Sequence, residues 1–167
     1  CRMRILLASS EVHPYSKSGG LADMVGALAK FLARDGHQVG VVTPLYRGIR
    51  ESFPNLKPFD WNLILPLGSG YVQASVNTLE YGDNLTIYFI DQPELYFRHS
   101  PYLQPDGISY PDNDERFIFF SKAIVHLARR VLKPDLVHVH DWQGGFVPLL
   151  VRHEKLTAGW VDAPPTC

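Results

Sequence analysis

Arg4-Ile5-Leu6-Leu7-Ala8-Ser9, then Lys17-Ser18-Gly19-Gly20-Leu21-Ala22-Asp23, then Val39-Gly40-Val41-Val42-Thr43 closed by Pro44: this succession decides the fold of the 167-residue chain. The first run is short and apolar throughout, the pattern of a strand buried on both faces of a parallel sheet. From Leu21 to Arg34 the apolar residues Leu21, Val25, Leu28 and Leu32 recur at helical spacing, and Gly36 follows where a C-terminal cap belongs. The run at 39–43 is a second buried strand. Strand, helix and strand make a βαβ unit whose crossover is expected to be right-handed.

Between the first strand and the helix stands a cation, Lys17, followed by the side-chain-free pair Gly19 and Gly20. A helix N-terminus offers unpaired N–H groups and partial positive charge, so this position suits a phosphate or a carboxylate. The plainer alternative is a tight loop-to-helix turn with Lys17 in water. The spacing is neither Gly-x-Gly-x-x-Gly nor a Walker loop.

Further along, Trp61–Pro66 and Tyr71–Tyr81 flank Leu67-Gly68-Ser69-Gly70 as a hairpin. In its second arm Val72, Ala74, Val76 and Thr78 alternate with Gln73, Ser75 and Asn77, which predicts one wet face. Leu85–Ile90 is another buried strand ended by Asp91-Gln92-Pro93. Tyr102–Pro111, rich in Pro, Gly and aromatics, reads as a surface loop able to carry function. Asp112 with Glu115 looks like a helix start, and Phe117, Phe120, Ile124, Leu127 and Val131 continue a periodic face to Pro134. Arg116 and Phe117 read as packing and helix-end residues. A strand at 135–140 and a helix from Gly144 to Arg152 follow. No repeat or linker divides the chain, so a single α/β domain with a mainly parallel, Rossmann-like sheet, flanking helices and a hairpin insertion is expected.

Composition narrows the function. Lys plus Arg number 16 against 17 for Asp plus Glu, so no basic field exists to hold nucleic acid or an anionic membrane. Apolar runs fall short of the about 20 residues a membrane helix needs. The two cysteines, Cys1 and Cys167, form neither a disulfide framework nor a metal-ligand spacing. A start at Cys1 with Met3 inside suggests an excised fragment, and a cytoplasmic or plastid-stroma setting is expected.

A second constellation, His138-Val139-His140-Asp141-Trp142-Gln143, lies at the C-terminal end of a strand, where ligands of open α/β sheets bind. Three readings compete. His138 and His140 share a strand face and with Asp141 could grip a metal, which would support a metal-dependent hydrolase, although no third His or Cys is nearby. A buried His and a helix-capping Asp141 would be purely structural. In the third reading Asp141 accepts hydrogen bonds from sugar hydroxyls and Trp142 offers an apolar face.

The segment Ser10-Glu11-Val12-His13-Pro14-Tyr15-Ser16-Lys17-Ser18-Gly19-Gly20-Leu21-Ala22-Asp23 resembles the opening of bacterial glycogen synthases and plant starch synthases, with their Lys-x-Gly-Gly-Leu-(Ala/Gly)-Asp motif. Ser100-Pro101-Tyr102, Asp112-Asn113-Asp114-Glu115-Arg116-Phe117 and His140-Asp141-Trp142 are similar to further segments of the same family. Ser18 and Met24 stand where Thr and Val are usual.

The resemblance implies the N-terminal, acceptor-side half of a GT-B glycosyltransferase that moves glucose from ADP-glucose, or UDP-glucose, to the non-reducing end of an α-1,4-glucan with retention. It implies no metal or other cofactor. Lys17 would neutralise the diphosphate, Gly19 and Gly20 would let backbone approach it, and Asp23 would orient the loop or meet the acceptor. Tyr102 would face the cleft, or else simply close its loop over the core. Asp141 and His140 would stand at the reaction centre, with Trp142 and Gln143 lining it. The C-terminal nucleotide-binding domain would be missing, leaving this chain inactive alone and exposing a sheet edge open to self-association. A non-catalytic module binding glucan or nucleotide sugar would use the same residues.

Overall fold

The computed structural model describes residues 1–167. Its centre is a six-stranded sheet in the order β3-β4-β5-β2-β1-β6. Strands β1 (Arg4–Ala8), β2 (Gln38–Pro44), β5 (Leu85–Asp91) and β6 (Leu136–Val139) are parallel neighbours. Strand β4 (Gly70–Tyr81) runs antiparallel to β5, and β3 (Lys57–Leu67) pairs antiparallel with β4 across the hairpin. The first strand lies inside the sheet, which explains its unbroken apolar run: Leu6, Leu7 and Ala8 are buried.

Helix α1 (Gly20–Arg34) crosses from β1 to β2 and packs against β2 and β5. Gly26 is required there because a Cβ would stand 2.7 Å from the His13 carbonyl oxygen. Helix propensity alone would favour Ala by up to ~1 kcal/mol. Overpacking costs about 1–3 kcal/mol, and here the obstacle is backbone rather than a yielding side chain. Gly26→Ala is therefore expected to lose about 1 kcal/mol in urea unfolding; a gain would show that the loop after β1 yields freely.

The remaining elements depart from the sequence reading in detail. Two one-turn helices, α2 (Ile49–Ser52) and α3 (Pro93–Tyr96), follow β2 and β5. Helix α4 (Asn113–Leu127) continues as a π-turn over Ala128–Leu132 and stops at Lys133, which has φ 45°. Asp112 does not cap α4 with its side chain; Arg98 engages that carboxylate through two nitrogens, at 2.8 and 2.6 Å. The expected helix from Gly144 is two elements, a 3₁₀ turn at Trp142–Gly144 and then α5 (Val147–Thr157). The wet face of β4 fades inward, since Asn77 on it is buried between the flanking strands.

The edge expected to lie bare at β6 is covered. The N–H groups of Val137 and Val139 donate to the carbonyls of Pro165 (3.0 Å) and Cys167 (2.7 Å), which run alongside in parallel. The hydrogen bonds a second chain would need from that stretch are already taken. The opposite edge strand, β3, contains Pro58 and Pro66 and a register shift between Phe59 and Asn62, features that blunt edge pairing. No helix is long and apolar enough to cross a membrane.

Candidate functional site

The singled-out residues gather beyond the carboxyl ends of β1 and β6 and on the loop that precedes α4. The loop after β1 is held from both sides. Ser9 N–H donates to Val42 O (3.1 Å), and Tyr46, just past β2, donates its hydroxyl to Ser10 O (2.7 Å). Farther along, His13 N–H donates to Ala22 O in α1 (3.0 Å), and the Tyr15 ring sits edge-on to Phe53 and Phe89 at 4.8 and 5.2 Å. The His13–Pro14 peptide is cis.

Buried Glu11 accepts from the backbone N–H of Ser18 at 2.5 Å, so a carboxylate pins the turn that presents Gly19 and Gly20. Both glycines are exposed, with nothing within 4 Å of a Cβ at either, and no side chain caps α1. The helix N-terminus is thus open to an anion. Lys17 stands beside it but is engaged: its Nζ lies 2.6 Å from Asp23 Oδ2, with both side chains about half exposed. The hydrogen bond from Lys17 holds the Asp23 carboxyl below the usual carboxylate range. Asp23 is thus paired with the cation.

Tyr102 joins the loop before α4 to this turn. Its hydroxyl shares a 2.6 Å hydrogen bond with Ser10 Oγ, and its ring packs on Phe117 at 5.8 Å. Phe117 in turn meets Trp142 edge-on at 5.4 Å. Burial raises the Tyr102 phenol well above its ordinary pKa and outweighs the lowering by Ser10, with the charges of Glu11 and Asp141 adding to the rise. The phenol stays protonated and able to donate. Ser10, Glu11, Tyr102, Phe117, Asp141 and Trp142 thus share one shelf.

Asp141 has φ 65° and ψ 179°, a region that only glycine enters without strain. It is exposed and caps the 3₁₀ turn by accepting from Trp142 N–H at 2.8 Å. Trp142 is 56% exposed, an open indole beside the exposed Asp141 carboxylate. His140 and Gln143 lie behind this pair, at 6% and 4% exposure, and their Nε2 and Oε1 atoms have no partner. They underlie the shelf instead of lining it.

His140 stacks on His138 with ring centroids 4.2 Å apart, as expected for side chains on one strand face. No group of three or more His, Cys, Asp or Glu side chains converges so as to hold a metal ion, which leaves the hydrolase reading without a site. Burial first, and the neighbouring His138 second, depress the His140 pKa to about 4 from 6.5. As pH falls through that interval the unfolded chain takes up the proton before the folded one, so stability drops. His126, lowered by burial and by Arg130, acts with the same sign. Thermal melts from pH 7 to 4.5 should therefore fall more steeply for the wild type than for His140→Gln; equal slopes would contradict the assignment.

Ser10 and Glu11 take part in the site although only their neighbours suggested one. Their partners, Tyr102 and Ser18, are 92 and 7 residues away, and no local pattern announces such contacts. The one available signal was a carboxylate directly after a buried strand, which must find donors.

Comparison with known proteins agrees with this geometry. A family model described as the starch synthase catalytic domain matches residues 4–167. Glycogen synthase of Koribacter versatilis is 40% identical over 150 residues, 90% of this chain and 30% of that protein. Glycogen synthase 1 of Geobacter sulfurreducens is 39% identical over 166 residues, 95% of this chain and 33% of that protein. The chain thus spans about a third of the length of these relatives. Among solved structures, the catalytic domain of starch synthase IV from Arabidopsis thaliana, bound to ADP and acarbose, superposes with a TM-score of 0.78 at 26% identity, covering 99% of this chain and 33% of that one. Sucrose-phosphate synthase from Thermosynechococcus elongatus, at 18% identity and a TM-score of 0.53 over 92% of this chain and 31% of that one, shares the fold.

Proposed function

The chain belongs to the starch synthase catalytic-domain family, and from that premise we propose that it forms the acceptor-side half of a synthase transferring glucose from ADP-glucose, or UDP-glucose, to the non-reducing end of an α-1,4-glucan with retention. The observation that carries the proposal is the shelf itself: an exposed carboxylate, an exposed indole and a protonated phenol stand together beside an uncapped helix N-terminus. A second domain would face this shelf and supply the rest of the diphosphate site.

Each group has a role its chemistry suits. Asp141 accepts hydrogen bonds from glucose hydroxyls, and Trp142 covers an apolar sugar face. Tyr102 donates its phenol toward the acceptor. The first turn of α1, with Lys17 steered by Asp23, meets the diphosphate, and the open backbone at Gly19 and Gly20 allows close approach. His140 and Gln143, buried on either side of Asp141 and Trp142 in the chain, tie this turn to β1 and α4 through His140 N–H to Ala8 O and Ser121 Oγ to Gln143 O. Transfer then rests on holding donor and acceptor in line and on offsetting charge that develops on the departing diphosphate. The similar Arabidopsis starch synthase, bound to ADP and acarbose, supports a nucleotide and a glucan-like ligand meeting on this fold.

The test is a fusion of this chain with the remaining two-thirds of the Geobacter sulfurreducens protein, assayed with radiolabelled ADP-glucose and maltoheptaose. Label appearing in longer maltodextrins, and lost in Asp141→Ala, is the expected result. A folded fusion that binds maltoheptaose without transfer would favour the non-catalytic binding module.

A further inference from the structure

We propose that Arg116 is the positioning residue of Tyr102, fixing through a buried fork of hydrogen bonds the side chain that reaches across to the loop after β1. Arg116 is fully buried near the start of α4. Its Nε donates to Leu95 O at 2.5 Å, and its Nη1 donates to Pro101 O at 2.8 Å and to Asn113 Oδ1 at 2.7 Å. Asn113 then donates Nδ2 to Tyr102 O at 3.0 Å. The carbonyls on both sides of the Tyr102 α-carbon are therefore held from a single guanidinium, one directly and one through Asn113.

A residue serving only to pack would not need this charge. Removing a guanidinium from water is costly unless polar partners meet it. Asp112, the acidic residue one helical turn before, is forked by Arg98 instead. Carbonyl oxygens and ring faces surround Arg116: Tyr96, Tyr110 and Phe117 lie 5.8, 5.0 and 5.2 Å from Cζ. Nη2 has no hydrogen-bond partner at all. What the arrangement secures is direction. A planar fork spans three acceptors on α3, the Tyr102 loop and α4, which a single ammonium group cannot do.

The next residue, Phe117, carries the platform on which the Tyr102 ring rests. Both backbone and ring of Tyr102 thus take their position from the N-terminal part of α4, and the phenol is delivered to Ser10. That Tyr102 then touches glucan rests on the function proposed above; that Arg116 fixes Tyr102 rests on the hydrogen bonds alone.

The experiment uses the 167-residue chain labelled with 3-fluorotyrosine, with the Tyr102 signal assigned through Tyr102→Phe. Arg116→Lys keeps the charge and removes the fork; Asn113→Ala removes only the relay and serves if Arg116→Lys does not fold. In either variant the Tyr102 signal should move toward the position of exposed Tyr71 while that of Tyr15 stays. Maltopentaose affinity should fall up to about ten-fold for Arg116→Lys, the scale of one lost hydrogen bond between neutral groups. The double variant Arg116→Lys/Tyr102→Ala should bind no worse than Tyr102→Ala, because both changes remove one contact. An unmoved Tyr102 signal in a folded variant would overturn the proposal, as would losses that simply add. A moved signal in a protein whose wild type ignores maltopentaose would uphold Arg116 and refute the glucan role of Tyr102.

Discussion

Replacing Asp141 by Gly is expected to raise the stability of this protein by about 1 kcal/mol while removing most of its affinity for α-glucan. The backbone at this residue, with φ 65° and ψ 179°, is one that a side chain makes costly by about 1–3 kcal/mol. Glycine relieves that strain, and the greater freedom of the unfolded chain returns about 0.4–1 kcal/mol of it. Losing to glycine the carboxylate that caps Trp142 N–H subtracts only roughly 0.3 kcal/mol more. A gain of this size lifts Tm by about 2–4 °C. On the binding side, each hydrogen bond from a sugar hydroxyl to a charged acceptor contributes about 1.5–3 kcal/mol, so maltopentaose affinity should fall about 10- to 150-fold. Asp141→Ala separates the two effects: it loses the ligand equally but keeps the strain. If the glycine variant is no more stable than the alanine one, the conformation is unstrained and the argument for a built functional position fails.

Lys17→Ala should weaken ADP-glucose about ten-fold at low salt and leave maltopentaose unchanged. A single ammonium facing a diphosphate is worth about one such factor when half exposed, and raising ionic strength to about 1 M should erase the difference. The fold should not notice, because the Lys17–Asp23 pair is about half exposed and such pairs contribute about 0–1 kcal/mol. Isothermal calorimetry on both ligands checks it. Equal weakening of both would mean that Lys17 organises the loop and does not meet the phosphates.

Long periodic elements were legible in the sequence, and short or strained ones were not. β1, α1 and β2 follow from a buried run, a 3.6-residue period and a second buried run, because their burial repeats along the chain. α2 and α3 span four residues each, too short for a period to register. The break at Gly145–Phe146 depends on Pro148, which starts α5 anew. Of the candidate site residues, Lys17, Gly19, Gly20, Asp141 and Trp142 stood out by chemistry and position along the chain, whereas Asp23 and Tyr102 came into view only through the resemblance of their segments to the family. The ion pair that steers Lys17 toward Asp23 and the strain at Asp141 were not visible, since neither is encoded by a local pattern. Arg116 shows the gap most clearly: as a residue in the first turn of a helix it reads as helix-end electrostatics, and only the tertiary arrangement brings Leu95 and Pro101 to its fork.

The most direct measurement is a titration of the isotope-labelled chain with maltopentaose and, separately, with ADP-glucose, followed by amide NMR. The account predicts that maltopentaose moves the signals of Tyr102, Asp141 and Trp142, whereas ADP-glucose moves those of Gly19, Gly20 and Leu21. A folded chain that answers neither ligand, or that answers only at the opposite end of the sheet around Arg129 and Lys133, would contradict it.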